Sequence, residues 1–288
     1  MMKLPCPPHP APADGSLPSA RSWITRRQAL GHLGAGTLLS LGLWPGALRG
    51  DNEVPAGSFR FVVLNDTHCV SKDCGSWLER VAARMRREAG EFTLHAGDLT
   101  DEAGKEYFGI VKEVFNGLPG AFYPTPGNHD HLGDRDRSTY EAAFPQRLNY
   151  TFNHRGWQFV ALDTTEGQRY DSTRIQGPTL RWLDETLPEL NRRRPTVILT
   201  HFPLGTGVTY RPLNADALLH RFLEFNLRAV FSGHYHGFTE RVAAGAVLTT
   251  NRCCALKRGN HDGTREKGYF LCSAQDGKLL RSFVEVPA

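Results

Sequence analysis

The run Thr125-Pro126-Gly127-Asn128-His129-Asp130-His131 decides the fold prediction for this chain. It follows the apolar stretch Ala121-Phe122-Tyr123, which predicts a short buried strand that the next prolines end. The polar residues 128–130 would then lie on a tight loop at the carboxyl end of that strand, where open α/β sheets usually bind ligands. A loop of this composition is often only a turn, so its meaning depends on the other motifs of the chain.

Four further apolar runs also end in side chains that bind metals or move protons. Together the five strand ends carry Asp66 and His68, Asp98, Asn128 and His129, His201, and His234 and His236. Two of these pairs are spaced i, i+2, and on an extended segment that spacing would place both side chains on one face, where each pair could chelate a cation. Carboxylate, amide and imidazole ligands without a thiolate suit manganese, iron, zinc or cobalt. Seven ligands are too many for one tetrahedral ion but would fit two ions that share a carboxylate.

The order of elements predicts an α/β fold. The first half repeats a strand, an acidic turn and a helix, which indicates parallel βαβ units. The second half adds strands before His201 and His234 and three more strand candidates in the tail. No linker rich in Gly, Pro or Ser divides this region. We therefore expect one domain over residues 51–288, with a two-sheet core, helices outside, and one site at the carboxyl ends of the strands.

The ordered motifs resemble those of the calcineurin-like metallophosphoesterase superfamily over roughly residues 59–286. They are Asp66-Thr67-His68, Gly97 to Asp101, Gly127 to Asp130, His201, and Gly233 to His236. The resemblance implies a four-layer α/β/β/α sandwich, in which two packed mixed β-sheets are flanked by helices. It also implies an enzyme, a metal-dependent phosphoric ester hydrolase.

The resemblance implies two divalent or mixed-valence metal ions, of Mn, Fe, Zn or Co. One would be held by Asp66, His68, Asp98 and His236, and the other by Asp98, Asn128, His201 and His234. A hydroxide that bridges the two ions would attack phosphorus in the substrate, a small phosphate ester. Asn128 would also stabilise the phosphoryl oxygens, His129 would protonate the leaving group, and Asp101 would orient the His129 ring.

The third motif and the stretch His201-Phe202-Pro203 most resemble the cyclic-nucleotide phosphodiesterase-like branch of the superfamily. Glu102 stands where the serine/threonine phosphoprotein phosphatases carry Arg, which leaves one fewer group to bind a phosphomonoester dianion. We expect hydrolysis of phosphodiester or phosphomonoester bonds. The alternatives are a nucleotide-pyrophosphate or lipid-headgroup hydrolase, or a non-catalytic metal-binding scaffold.

Other residues leave alternatives open. Arg252 could bind substrate phosphate or form a surface salt bridge. His261 lies in Gly259-Asn260-His261-Asp262, a copy of the third motif without a preceding apolar strand, and could contact substrate from a loop. His95 could support a metal ligand from behind. Among Cys69, Cys74, Cys253, Cys254 and Cys272, the first two could form a disulfide or remain thiols, and the sequence does not assign the pairing.

Residues 1–50 are predicted to be a disordered leader followed by a twin-arginine-like export signal. Arg26 and Arg27 precede the mildly apolar stretch 29–48. We expect an exported, periplasmic or extracellular protein that meets the export machinery and keeps no stable membrane span once the signal is removed. The alternative is a membrane anchor formed by an uncleaved signal. The formal charge of +4 also comes from this leader, so no nucleic-acid-binding surface is predicted.

Overall fold

The computed structural model describes residues 57–287, so the predicted leader over residues 1–50 lies outside the described part. The strands are β1 Phe59–Leu64, β2 Phe92–Ala96, β3 Ala121–Thr125, β4 Tyr150–His154, β5 Trp157–Leu162, β6 Thr196–Thr200, β7 Leu227–Ser232, β8 Thr239–Ala243, β9 Ala246–Thr250, β10 Gly268–Gln275 and β11 Lys278–Glu285. The helices are α1 Lys72–Met85, α2 Lys105–Asn116, α3 Ser138–Ala143, α4 Gly177–Thr186 and α5 Ala215–Leu219. Across residues 57–287, no helix has both the length and the apolar character needed to cross a bilayer.

Two mixed sheets form the centre of the fold. The first has the strand order β11-β10-β1-β2-β3, and the second has the order β4-β5-β6-β7-β9-β8. Strands β1, β2 and β3 run parallel, as do β5, β6, β7 and β9, whereas β4, β8, β10 and β11 pair antiparallel with their neighbours. The carboxyl ends of the parallel strands therefore gather at one edge of each sheet.

The alternation of side chains along the strands explains the four layers. Phe59, Phe61 and Val63 of β1 point between the two sheets, where they join residues such as Phe159 of β5. The intervening residues of β1 pack with α1, α2 and α3 on the outer face of the first sheet. The corresponding residues of β5, β6 and β7 pack with α4 and α5 outside the second sheet. Because both faces of the central strands are covered, these strands read as continuous apolar runs. The predicted α/β fold class, with two packed mixed sheets flanked by helices, is confirmed.

Some local predictions were wrong. Strand β3 runs through Pro124 and ends at Thr125, because β3 is an edge strand and its proline needs no ladder partner on the open side. Strand β8 was not predicted, since its five residues are largely exposed and show no apolar pattern. Helices α3 and α5 were also not predicted, because they have only six and five residues.

All five cysteines in the described part of the chain are buried and unbonded. The structure does not form the disulfide that the sequence left open between Cys69 and Cys74. Cys74 instead takes part in the N-cap of α1, where its backbone N–H donates to the Ser71 hydroxyl at 3.3 Å.

Candidate metal centre

The seven predicted metal ligands come together at the carboxyl ends of the strands, below a cavity of about 480 Å³. All seven side chains are buried. Asp98 contributes to two groups of potential ligands, one with Asp66, His68 and His236 and the other with His201 and His234. Within each group, the ligand atoms all lie within 4.8 Å of one another. The structure therefore gathers residues from five separate strand ends into two adjoining clusters.

In the first cluster, imidazole and carboxylate atoms face a common point. Nε2 of His68 lies 3.1 Å from Nε2 of His236 and 3.6 Å from Oδ2 of Asp98. Nε2 of His236 is also 3.3 Å from Oδ1 of Asp66. The other oxygen of Asp66 accepts a hydrogen bond of 3.0 Å from the backbone N–H of His234, which fixes the carboxylate.

In the second cluster, Nε2 of His201 lies 3.1 Å from both Nδ1 of His234 and Oδ1 of Asn128. Oδ2 of Asp98 is 3.4 Å from the same His201 nitrogen. The second oxygen of Asp98 accepts a 2.9 Å hydrogen bond from the backbone N–H of His129. Asp98 Oδ2 is therefore the atom that lies close to both clusters.

Each histidine ring is held in place through its other nitrogen. His201 donates from Nδ1 to the carbonyl of Ala96 at 2.9 Å, and His234 donates from Nε2 to the carbonyl of Tyr170 at 2.8 Å. His68 contacts Asp101 through Nδ1 at 3.1 Å, and His236 contacts the carbonyl of Gly259 through Nδ1 at 3.3 Å. The nitrogens that face each other within each cluster are then lone-pair acceptors. Two acceptors at hydrogen-bond distance need a proton or a cation between them. The ligand atoms of the two clusters therefore fit two metal ions.

The backbone at the ligand positions does not have the extended conformation that the sequence predicted. Five of the seven predicted ligand residues have positive φ angles, namely Asp66, His68, Asp98, His234 and His236, with values from 43° to 63°. The prediction that each i, i+2 pair lies on an extended segment was therefore wrong. His234 and His236 do not chelate one cation together, because His236 faces the first cluster and His234 the second. Left-handed backbone at non-glycine residues costs about 1–3 kcal/mol each and persists where the surroundings enforce it.

The pKa shifts show that each cluster favours one positive charge. Burial would lower the pKa of His236, but the adjacent Asp66 carboxylate outweighs burial and raises that pKa to about 11. Burial also opposes the charge on His201, and Asp98 raises its pKa to about 9. In the same two clusters, burial lowers the pKa of His68, and burial together with His201 lowers that of His234 to about 3. In each cluster the pKa shifts thus favour a proton on one histidine and oppose a proton on the other.

Two loops are fitted tightly around Asp98. The Asp130 carboxylate accepts hydrogen bonds from the backbone N–H groups of Leu99, Thr100 and Gly127 at 3.1, 2.9 and 2.9 Å. These bonds tie the second motif to the third. A Cβ atom on Gly127 would lie 2.1 Å from Oδ1 of Asp98, so only glycine fits there. Burial, helped by the charge of Asp98, raises the pKa of Asp130 to about 7.

Asp101 links the metal centre to His129. Its Oδ1 atom lies 3.1 Å from Nδ1 of His129 and 3.1 Å from Nδ1 of His68, and it also pairs with Arg258. Although burial opposes it, hydrogen bonds from His129 and His68 hold the pKa of Asp101 well below its usual range. Burial would lower the pKa of His129, but the hydrogen bond with Asp101 raises it. His129 lines the cavity with Nδ1 engaged, which leaves Nε2 to exchange a proton.

Of the two residues that the sequence named as possible substrate contacts, His261 lies at the cavity and Arg252 does not. His261 lines the cavity, and its ring stacks on that of His236 with centroids 5.0 Å apart. Arg252 does not line the cavity, because its Nε donates to the Thr264 hydroxyl at 3.0 Å and its guanidinium lies over the ring of Phe283. Its predicted role in substrate binding is therefore not supported by its position.

His95 supports the first motif indirectly. Its Nε2 lies 3.0 Å from the hydroxyl of Thr67, which in turn donates to the carbonyl of Leu99 at 2.9 Å. The ring contacts the residue between the two ligands rather than a ligand itself. Burial lowers the pKa of His95 to about 3, so the ring is neutral.

Four cavity residues were missed by the sequence reasoning: Gln168, Tyr170, Tyr210 and Arg258. Gln168 and Tyr170 lie in the connection between β5 and α4, and Tyr210 lies in the connection between β6 and α5, and neither connection is helix or strand at these residues. Tyr210 lies with its ring centroid 5.0 Å from that of His234. Arg258 lies one residue before the copied Gly-Asn-His-Asp motif, and this proximity was the only available signal.

The fold and the site together define a two-sheet α/β domain with a buried Asp/His centre. Residues 59–238 match the family model of the calcineurin-like phosphoesterases, and the chain belongs to this family. The description of this family is that of phosphoesterases.

Two curated relatives are phosphodiesterases by name. A 3′,5′-cyclic-nucleotide phosphodiesterase from Nostoc sp. is 26% identical over 153 residues, which cover 51% of this chain and 56% of the relative. A protein named probable glycerophosphodiester phosphodiesterase GpdQ, from Arcobacter nitrofigilis, is 23% identical over 124 residues, which cover 42% of this chain and 45% of the relative. The alignments thus span about half the length of these relatives.

Solved structures share the fold. A dimetal phosphatase from Danio rerio superposes with a TM-score of 0.60 at 14% identity, covering 79% of this chain and 98% of that protein. The purple acid phosphatase PPD1 from yellow lupin (Lupinus luteus) gives a TM-score of 0.61 at 15% identity, covering 80% of this chain and 52% of that protein. At these identities, the likeness establishes the fold alone.

Proposed function

We propose that this chain is a dinuclear-metal phosphoesterase that hydrolyses phosphodiester or phosphomonoester bonds in small substrates. The observation that carries the proposal is the pair of buried acceptor clusters that share Asp98. One ion would be held by Asp66, His68, Asp98 and His236, and the second by Asp98, Asn128, His201 and His234. When bound, two such ions supply an activated water as nucleophile and neutralise charge on the phosphoryl group.

The protein's own groups would complete the reaction. His129 lines the cavity, and although burial opposes a charge on its ring, the hydrogen bond with Asp101 raises its pKa and so favours the protonated form. From Nε2 the ring would give its proton to the oxygen that leaves phosphorus, and Asp101 would hold the ring at Nδ1. Asn128 enters the second cluster through Oδ1, so its NH₂ group is left to donate to a phosphoryl oxygen.

Phosphodiesters are the favoured substrate class. Both curated relatives carry names of phosphodiesterases, one for cyclic nucleotides and one for glycerophosphodiesters. The cavity of about 480 Å³ leaves room for an organic group beside the phosphate, and Tyr170, Tyr210 and His261 line it. Nucleotide pyrophosphates and lipid headgroups are the other outcomes that a substrate panel would distinguish.

The test uses the full chain reconstituted with manganese. Hydrolysis of bis-(p-nitrophenyl) phosphate is expected for the native protein and is expected to be lost in Asp98→Asn, because the amide removes the charge shared by both clusters. A panel of cyclic nucleotides, glycerophosphodiesters, nucleotide monoesters, nucleotide pyrophosphates and phospholipids then assigns the substrate. Metal-loaded, folded protein that hydrolyses none of these esters would favour a non-catalytic scaffold.

We also propose that the protein is exported through the twin-arginine route and acts in the periplasm or outside the cell. The support is the pair Arg26-Arg27 before the mildly apolar stretch 29–48. Replacing both arginines with lysine is expected to leave the protein in the cytoplasm. Cell fractionation of the native and double-variant proteins measures this, and a fraction that stays with the membrane would indicate an uncleaved anchor.

A further inference from the structure

Arg258 is the only Lys or Arg side chain among the described residues that line the cavity over the metal centre. It lies on the loop of residues 253–267, between β9 and β10, and it enters the cavity from the side of His129 and Asp101. The other cavity-lining groups that carry full charge at neutral pH include the carboxylates of Asp98 and Asp101. Apart from the metal ions, Arg258 is therefore the one permanently charged side-chain cation that an anionic substrate meets in this cavity.

The backbone of this loop is anchored at several points. The Nζ atom of Lys267, whose side chain is buried, donates to the carbonyl of Arg258. The side chain of Asn260 accepts from the N–H of Cys253 at 3.0 Å and donates to the carbonyl of Glu266 at 2.9 Å. The N–H of His261 donates to the carbonyl of His236 at 2.9 Å, so the loop is attached directly to the motif of the metal centre. Arg258 thus reaches into the cavity from a fixed base.

The pairing with Asp101 uses only part of the hydrogen-bonding capacity of the Arg258 guanidinium. Arginine carries five N–H donors, and Arg258 uses one nitrogen, Nη2, to pair with Oδ1 of Asp101. Asp101 is already bound by His68 and His129, so its charge does not depend on Arg258 alone. A phosphoryl group in the cavity would offer oxygens that match the planar fork of the guanidinium.

We propose that Arg258 is a phosphate-binding residue that selects for the charge of the phosphoryl group. In the absence of substrate it pairs with Asp101, and in its presence it binds a phosphoryl oxygen. This inference rests on the proposed phosphoesterase function and adds to it a residue from a loop outside the five motifs. The contact would bind the singly charged phosphodiesters favoured above, and it would bind a dianionic phosphomonoester or inorganic phosphate more strongly.

The test compares Arg258→Gln with Lys257→Gln, which removes the same charge one residue away. Lys257 is exposed and does not line the cavity. Inorganic phosphate is titrated into each manganese-loaded protein by calorimetry and is also used as a competitive inhibitor of bis-(p-nitrophenyl) phosphate hydrolysis. Arg258→Gln is expected to weaken phosphate binding about 10- to 100-fold, the usual effect of losing a charge-assisted hydrogen bond. Lys257→Gln is expected to change it less than twofold.

Substrate comparison supplies a second readout. In Arg258→Gln, KM for p-nitrophenyl phosphate is expected to rise more than KM for the diester, while Arg258→Lys recovers part of the loss because it keeps the charge but not the fork. An equal drop in kcat on both esters, with phosphate affinity unchanged, would show that Arg258 only positions Asp101 and would overturn the proposal. Manganese content is measured in every variant, so that loss of metal is separated from loss of phosphate binding. If the native protein binds phosphate through Arg258 but cleaves no ester, the proposed function fails and this inference stands.

Discussion

His68 and His236 point their Nε2 atoms at each other across 3.1 Å, although 168 residues separate them along the chain. Each ring is engaged elsewhere through Nδ1, so this approach needs a positive charge between the rings. The second cluster repeats the arrangement with His201 and His234 at 3.1 Å. Without metal a proton supplies that charge, and with metal the ion replaces it.

Metal binding should therefore release protons. His201 and His236, with pKa values of about 9 and about 11, are protonated at pH 7 in the metal-free protein. Binding two ions is expected to release about two protons, and the apparent metal affinity should rise with pH. Calorimetry with manganese in two buffers of different ionisation enthalpy measures the release. A binding heat that does not depend on the buffer would contradict this account.

The same protons predict an alkaline weakness of the metal-free protein. Because the pKa values of His201 and His236 lie above the value of 6.5 expected in the unfolded chain, their contribution is complete below pH 6.5. It is lost as pH rises, up to about 9 for His201 and up to about 11 for His236. The free energy of unfolding should fall by about 1.4 kcal/mol per pH unit for each proton involved. Thermal unfolding of chelator-treated protein between pH 6.5 and 9 tests this. The manganese-loaded protein is the control and should show a nearly constant Tm over that interval.

Replacing His129 with Ala should affect esters according to their leaving group. An alkoxide needs a proton as it leaves, whereas p-nitrophenolate does not. We expect a loss of about 100-fold or more on an alkyl phosphodiester and less than about 10-fold on the p-nitrophenyl ester. His261→Ala removes another imidazole from the same cavity and should leave the ratio of the two rates unchanged. Equal losses on both esters in His129→Ala would show that His129 does not protonate the leaving group.

Gly127→Ala should disrupt the centre by steric overlap alone. The φ angle of Gly127 is −108°, so alanine meets no conformational penalty there, but its Cβ would lie 2.1 Å from Oδ1 of Asp98. We expect the variant to lose metal and to be destabilised by several kcal/mol. Gly109→Ala is the matched control, because this helix position is open and alanine favours helix by about 1 kcal/mol. Metal analysis and thermal unfolding measure both, and a Gly127→Ala protein with native metal content would show that the loops can move apart.

The amino-acid order alone was enough to predict the architecture and the seven candidate metal ligands. Apolar runs such as β1, β2 and β6 must be buried on both faces, and this requirement fixes parallel strands whose carboxyl ends meet. Polar residues that directly follow those runs, from Asp66 to His236, must therefore lie at the carboxyl-terminal edge of the sheets. The tail strands β10 and β11 were also predicted, although both pair antiparallel and β11 is a partly exposed edge strand.

The assignment of each ligand to one of the two clusters, and the residues that surround the clusters, became clear only from the tertiary contacts. His234 and His236 face different clusters because positive φ angles turn the backbone, and residue spacing does not encode that turn. Arg258 lies beside Asp101 across 157 residues of sequence, whereas Arg252, six residues earlier, is held by Thr264 outside the cavity. Contacts between loops depend on where the anchored backbone places each side chain, and local propensity carries little information about that position.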